Sequence, residues 1–273
     1  MKKVESAAQF AGQTKQAAQN LGAVHINCFV MPAEIEAAAQ AGAFFSEACE
    51  AGMLFYEDKG DYYAVYLYVN PQRPFTVPKA EKTLVFEFPM ARTIPEKNAA
   101  VMETLQHSGV TFNASSKHMC ITVDAQQLDA MKSNEHVCVA KAERAHAEGI
   151  WALWSHTFDP IVHLLPGRRQ VLEQILSGNV WVALQPNGEI AGALKYEQKP
   201  GCTHFSNVAV AQALRGQRIG QTLMHAHFQW ALAQGIQKHY LWVVDGDTNA
   251  ASFHRKYGCK FDGKFSQQYI LRA

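Results

Sequence analysis

The segment Asn207-Val-Ala-Val-Ala-Gln-Ala-Leu-Arg-Gly-Gln-Arg-Ile-Gly220 has what is needed to hold an anion through backbone groups. An apolar run ends in a short turn, and Arg215-Gly216-Gln217-Arg218-Ile219-Gly220 then opens an amphipathic helical pattern. The first turn of a helix leaves N–H groups unpaired, and its dipole favours negative charge. Small residues there let a phosphate approach the backbone, so the chemistry predicted is the grip of a diphosphate. From Gly216 and Gly220 alone, an ordinary strand-to-helix loop is the simpler reading. The spacing fits neither G-x-G-x-x-G nor a phosphate loop ending in Gly-Lys-Ser/Thr. Upstream, Cys202 to Val210 alternates as a strand, with His204, Ser206 and Val208 on one face and Thr203, Phe205 and Asn207 on the other. The 12 histidines lack paired ligand spacing, and His225-Ala-His227 on a helix points its rings to different sides, so no metal site is expected. The six cysteines (Cys28, Cys49, Cys120, Cys138, Cys202, Cys259) include no C-x-x-C pair. They read as reduced, mostly buried thiols, and nothing nearby lowers the pKa of Cys202 or Cys259.

The elements around this segment are those of an α/β domain whose central strand feeds a long helix. After Glu135 come a strand over 136–140 and helices over 147–157 and 168–176. Strands at 180–184 and 189–196 flank Pro186-Asn187-Gly188, a hairpin signal because Asn and Gly tolerate positive φ. The strand 202–210 leads to a helix over 219–234, whose stripe is Ile219, Leu223, Ala226 and Trp230 and which stops at Gly235. A strand at 240–244, a helix at 250–257 and two terminal strands, through Phe261 and at Tyr269–Leu271, follow. The first half opens with a polar helix near 6–19 and a second from Pro32 to Gly52. Strands at 53–56, 62–69 and 83–88, a helix from Pro95 to Gly109, and strands at 110–112 and 119–123 complete it. The polar stretch 124–135 reads as a linker with one helical turn. Two domains are therefore expected, 1–135 and 136–273.

The Arg215–Gly220 segment resembles the coenzyme A-binding motif of the GNAT acyltransferase superfamily, Arg/Gln-x-x-Gly-x-Gly/Ala after the fourth strand. Arg215 matches the first position and Gly220 the last. Arg218 replaces the usual middle glycine, which is tolerable if the backbone there is already helical, and its guanidinium can reach a phosphate. The resemblance continues in Asp247-Thr-Asn-Ala-Ala-Ser-Phe-His-Arg-Lys-Tyr-Gly-Cys-Lys-Phe261, like the family's short helix carrying Asn, Ala and Tyr ahead of Gly-Phe. Asp247, or Asn249 with a shift, stands at the Asn position, and His254 falls where Tyr is usual. The resemblance implies an α+β mixed sheet with acetyl-CoA as acyl donor and a primary amine as acceptor. It implies that the pantetheine arm pairs with Val208, Ala209 and Val210 like an added strand, and that an N–H of this run polarises the thioester carbonyl. The pyrophosphate would rest on the amides of Gly216, Gln217, Arg218, Ile219, Gly220 and Gln221. The amine would attack directly, without a covalent enzyme intermediate.

An amine of pKa about 10.4 costs roughly 4 to 5 kcal/mol to deprotonate at pH 7, so a base is needed. Some members of the family the chain resembles carry one, often Glu and sometimes His, on the strand that His204 occupies here. His204 is the first candidate, directly or through Ser206 and water, against a partly exposed histidine without catalytic duty. Glu197 is a weaker candidate. His254 stands at the general-acid position, with Tyr257 at i+3 as the alternative.

Composition bounds the rest. The chain has 273 residues, 48% of them hydrophobic, and a net charge of +1, enough apolar material for a core and no basic field for nucleic acid. The charge is −4 through Glu135 and +5 beyond it, a bias that suits an anionic ligand or arises from surface composition alone. No apolar run approaches a membrane span, and the residues after Met1-Lys2-Lys3 are not a secretory signal. A cytoplasmic protein, monomer or homodimer, is expected. The first half is loosely similar to a second, degenerate GNAT-like unit, since Pro89-Met-Ala-Arg-Thr-Ile-Pro-Glu-Lys-Asn98 has no glycine where a cradle would be. Its tyrosines at 56, 62, 63, 66 and 68 either fill a sheet or wall an acceptor pocket. Two functions of different class remain: an N-acetyltransferase, and a non-catalytic CoA-binding regulatory protein.

Overall fold

The computed structural model describes residues 1–27, 30–90, 94–131 and 133–273. Cys28, positions 91–93 of the Pro89–Asn98 segment and Lys132 of the expected linker lie outside the described residues. The chain forms two compact units, Met1–Ser116 with Gly263–Ala273, and Lys117–Asp262. The boundary expected after Glu135 differs for a packing reason. Met119, Ile121, Val123 and Leu128 are buried in the core of the second unit, while Tyr269 and Leu271 are buried in the core of the first. No helix among the described residues is long and apolar enough to cross a membrane.

In the first unit, β1 (Lys2–Lys3) precedes α1 (Ala7–Leu21), whose Ser6 Oγ accepts from the Gln9 N–H at 3.2 Å and whose end is Gly22 at φ +69°. After β2 (Val24–His25) comes α2 (Pro32–Gln40), with proline in its first turn. The helix expected to run on to Gly52 stops because Gly42 turns left-handed at φ +69°. Residues 44–49 instead form β3 (Phe44–Cys49), which pairs antiparallel with β4 (Gly52–Asp58). Next come β5 (Tyr62–Val69), β6 (Thr83–Met90), α3 (Glu96–His107) and β7 (Thr111–Thr122). That last strand is continuous where two short ones were expected; within the stretch between them Asn113 donates from Nδ2 to Gln268 Oε1 at 2.6 Å, a tertiary contact that local propensity does not report.

The second unit continues with α4 (Ala125–Asp129), β8 (Cys138–Lys141), α5 (Ala147–Thr157) and α6 (Arg168–Leu176). Then follow β9 (Val180–Leu184), β10 (Ile190–Lys199), β11 (Cys202–Val210), α7 (Ile219–Ala233), β12 (Lys238–Val244), α8 (Thr248–Lys256) and β13 (Lys260–Leu271). The two terminal strands are thus one, and the residues of β13 from 263 on belong to the first unit, where they pair antiparallel with β6.

Both units share one plan. In each, an antiparallel run (β3-β4-β5, and β9-β10-β11) meets a parallel strand over only three residue pairs. These are Tyr62↔Thr83 to Ala64↔Val85 in the first unit and Cys202↔Lys238 to His204↔Tyr240 in the second. Beyond those pairs the strands splay. The mixed sheet of the second unit lies between two cores. Leu223, Met224 and Phe228 of α7 pack on one face, and Ile150, Trp154, Val171 and Ile175 of α5 and α6 lie in the other core.

Candidate active site

The splay of the second unit has a local cause. Opposite Ala193 and Lys195 of β10 stand Ala209 and Ser206 of β11, so β11 carries one extra residue. Asn207 takes the left-handed conformation at φ +51°. Such a bulge bends its strand, and here it lies three residues past the last pair with β12. It also inverts the alternation. Phe205 before the bulge and Val208 and Val210 after it pack into the core on the α7 side, whereas Ala209 turns to the opposite core. The expectation that Val208 shares a face with His204 and Ser206 is therefore corrected, because one inserted residue shifts a period of two. Past His204, no further strand pairs with the β12-facing edge of β11 among the described residues.

At the open end of the splay, β11 passes through the 3₁₀ turn Gln212–Leu214 into α7. Arg215 is extended and donates from Nε to the Val210 carbonyl at 3.4 Å. Gly216 lies at φ +82°, and a Cβ there would meet nothing within 4 Å. Arg218, the N-cap of α7, lies at φ +62° and lends no side-chain cap. It is left-handed, so the helical backbone that would make a non-glycine tolerable at this position is not what it has. The N-terminal amides of α7 therefore receive no cap from the Arg218 side chain, and no acidic residue sits in the first turn, the arrangement that favours an anion. Gly220 is buried, and a Cβ on it would come 3.2 Å from Phe253 and 3.6 Å from Val210. The loop has a brace that the sequence reading missed. Asn134 donates from Nδ2 to the Gln217 carbonyl at 2.7 Å, and its N–H donates to Thr222 Oγ1 at 2.8 Å. The expected linker is thus docked on the loop ahead of α7; an asparagine in a polar stretch gave no signal of this.

The other segment singled out in the sequence supplies α8. Asp247 Oδ1 accepts from the Ala250 N–H at 2.9 Å and so caps that helix, while Asn249 is exposed in its first turn. Tyr257, just past the helix, donates from its hydroxyl to Gln221 Oε1 at 3.1 Å, tying α8 to the first turn of α7. Burial pushes the Tyr257 phenol up, against the opposing charge of Arg218. His254 is buried, 5.8 Å between ring centroids from Phe205. Burial pushes it down to about 4 with Asp247 opposing, so the ring is neutral at pH 7 and able to donate a hydrogen bond.

His204 stands on the face of β11 away from α7, at the last pair before the strands part. Its ring stacks on Tyr240 at 4.8 Å and 9°, and its Nδ1 lies 3.8 Å from Glu197 Oε2. Burial opposes ionisation of Glu197, but the charges of Lys195, 3.0 Å away, and of His204 hold its carboxyl well below the usual range. Ser206 donates to Asn207 Oδ1 at 3.3 Å. On the opposite face, Thr203 Oγ1 lies 2.8 Å from both His227 Nε2 and His239 Nδ1, three fully buried groups. His227 is buried while His225 is half-buried, and no group of three or more metal-ligating side chains occurs among the described residues. Burial pushes the Cys259 thiol up to about 12.

In the first unit the corresponding splay, between β5 and β6, is filled by the chain itself. Val24 and His25 pair with Val69 and Tyr68 on the edge of β5 that β4 leaves open. The Ile26 N–H donates to the Leu67 carbonyl at 3.1 Å. The buried amide of Asn27 donates to the Val65 carbonyl at 2.9 Å and accepts from the Leu67 N–H at 2.7 Å. Since β5 is the splayed strand, a cradle would have to follow Val69 rather than Phe88, as the sequence reading had it. The connector there has no helix and buries Phe75 and Val77 in the core. Ala64 and Val85 stand at the register positions of His204 and Tyr240.

No curated protein matches the chain in sequence. Residues 147–259 match the model of the Acetyltransferase (GNAT) family. The fold is similar to a GCN5-related N-acetyltransferase from Sphaerobacter thermophilus (16% identity, 80% of this chain and 76% of that one, TM-score 0.55). It is also similar to a GCN5-related N-acetyltransferase from Kribbella flavida (13%, 97% and 95%, TM-score 0.54). A tandem GNAT protein from the clavulanic acid biosynthesis pathway is a third (12%, 81% and 79%, TM-score 0.55). Residues 147–259 therefore form a GNAT acetyltransferase domain, in a chain folded like solved GNAT proteins, one of them a tandem.

Proposed function

We propose that the second unit transfers an acetyl group from acetyl-CoA to a primary amine of a small molecule or peptide. One observation carries this reading: among the described residues, a splayed strand whose edge has no strand partner runs through a short turn into a helix whose N-cap side chain accepts from none of its first amides. The edge of Val208, Ala209 and Val210 suits an extended arm, and the amides from Gly216 to Gln221 suit a diphosphate. The donor supplies an activated thioester. His204, at the closed end of the splay, takes the amine proton, and the ionised Glu197 stabilises the imidazolium that results. A backbone N–H of the 208–210 run supports the developing oxyanion. The N–C bond forms as the C–S bond breaks, and the thiolate receives a proton from Tyr257 or, with solvent supplying the proton, a hydrogen bond from the neutral ring of His254.

The test is calorimetry with acetyl-CoA followed by thiol release against a panel of amines. Heat and amine-dependent thiol release are expected. Heat without turnover on any amine transfers the case to the regulatory reading, and no heat at all overturns both.

A further inference from the structure

The face of the sheet that carries His204 holds a longer row of side chains than the transfer reading uses. In sheet order, β12 lies between β11 and β7. His204 of β11 stacks on Tyr240 of β12, and His118 of β7 lies against Tyr240 at 4.9 Å and 30°. His118 is buried, its Nδ1 is 3.0 Å from Asp262 Oδ2, and its ring also meets Trp242 at 4.9 Å. The row is thus Glu197, His204, Tyr240, His118, Asp262, a tyrosine between two imidazoles that each face a carboxylate.

The distances differ in what they can hold. At 3.8 Å the Glu197 carboxylate attracts the His204 ring without a hydrogen bond to fix its plane. The near-parallel face of Tyr240 is what sets that plane. Tyr240 in turn has a ring against it from His118, whose Nδ1 lies 3.0 Å from Asp262 Oδ2 in an ion-pair contact without hydrogen-bond geometry. A general base works only within hydrogen-bond reach of its proton, and a misplacement of about 1 Å costs about a hundredfold in rate.

Resting on the acetyl-transfer reading, we propose that His118, held by Asp262, is a positioning residue for His204, acting through the ring of Tyr240. The row requires a ring at position 118, and the carboxylate at position 262 refines the placement of that ring. It does not require the residue at 118 to titrate.

Kinetics on the full chain test this, with an acceptor taken from the amine panel. His118→Ala is expected to lower kcat at least tenfold while the KM and Kd for acetyl-CoA stay at wild-type values. His118→Phe, which restores a ring without a titrating group, is expected to recover most of that loss, and Asp262→Asn to show a smaller drop. Wild-type kcat in His118→Ala, or His118→Phe as impaired as His118→Ala, overturns the proposal. If the unaltered chain shows neither heat with acetyl-CoA nor turnover, the transfer reading has failed on its own. The geometric claim is then decided by a crystal structure of His118→Ala. Loss of the His204–Tyr240 stack is expected, and an unchanged stack overturns it.

Discussion

Arg218→Gly separates the two things Arg218 does. A non-glycine residue in the left-handed region carries about 1 to 2 kcal/mol of steric cost, and Arg218 sits there at φ +62°. Glycine removes that cost but loses about 0.5 to 1 kcal/mol through greater freedom in the unfolded chain. The net expectation is a gain of about 0.5 to 1 kcal/mol, a rise of about 2 °C in Tm for a unit of this size. Binding moves the other way. If the guanidinium contacts a donor phosphate, losing a charge-assisted hydrogen bond costs about 1.5 kcal/mol, so the Kd for acetyl-CoA rises about tenfold. Thermal melts without ligand and calorimetry with it read the two effects separately, and Arg218→Lys, which keeps both strain and charge, is the control. An unchanged or lower Tm refutes the strain argument. An unchanged Kd removes Arg218 from the donor site.

His204→Gln is expected to lower kcat by about 10² to 10⁴ while acetyl-CoA still binds with wild-type heat; unaltered turnover removes His204 as base. Asn27→Ala leaves the buried Val65 carbonyl and Leu67 N–H unpaired, so urea unfolding should show the first unit destabilised by about 2 to 4 kcal/mol with the Kd for acetyl-CoA unchanged. Because Val24–Asn27 fills the first splay, calorimetry on the unaltered chain should return one acetyl-CoA per chain, and two would contradict that assignment. Glu87 is pushed up to about 7 by burial, against hydrogen bonds from Ser266 and Gln268. A carboxyl whose folded value exceeds its unfolded one stabilises fully below the unfolded value, and that contribution, roughly 3 kcal/mol, fades as pH rises from about 4.5 to about 7. Denaturation midpoints across that range should fall in the unaltered protein, and Glu87→Gln should flatten the slope.

The parts of this architecture that local chemistry dictates could be read from the residues. Ala147–Thr157, Arg168–Leu176, Val180–Leu184 and Cys202–Val210 fall where capping glycines, the Asn-Gly turn and strand alternation put them. The turn from β11 into α7 was legible for the same reason, since Gly216 takes the left-handed conformation and Gly220 packs closely against Phe253. What escaped depends on partners distant in sequence. The bulge at Asn207 shows only against the register of Ala193 and Lys195. Asn134 acquires its task from Gln217 and Thr222, more than eighty positions away. The overlong second helix reflects alanines that suit a helix as far as Gly42, after which pairing with β4 prevails over propensity. His118, Tyr240 and Asp262 are unremarkable residues in three separate strands until the sheet sets them in line.

The last stretch of chain, from Gly263, completes the sheet of the unit that was begun at Met1, while the second part of β7 is counted with the unit that follows it. A dissection of the gene at any single point therefore leaves at least one fragment without its closing strand. Removing residues 263–273 would injure the unit of residues 1–116 first, far in sequence from the cut. Studying the first portion in isolation calls for a polypeptide that carries the segment from Gly263 on a linker long enough to reach its place beside β6.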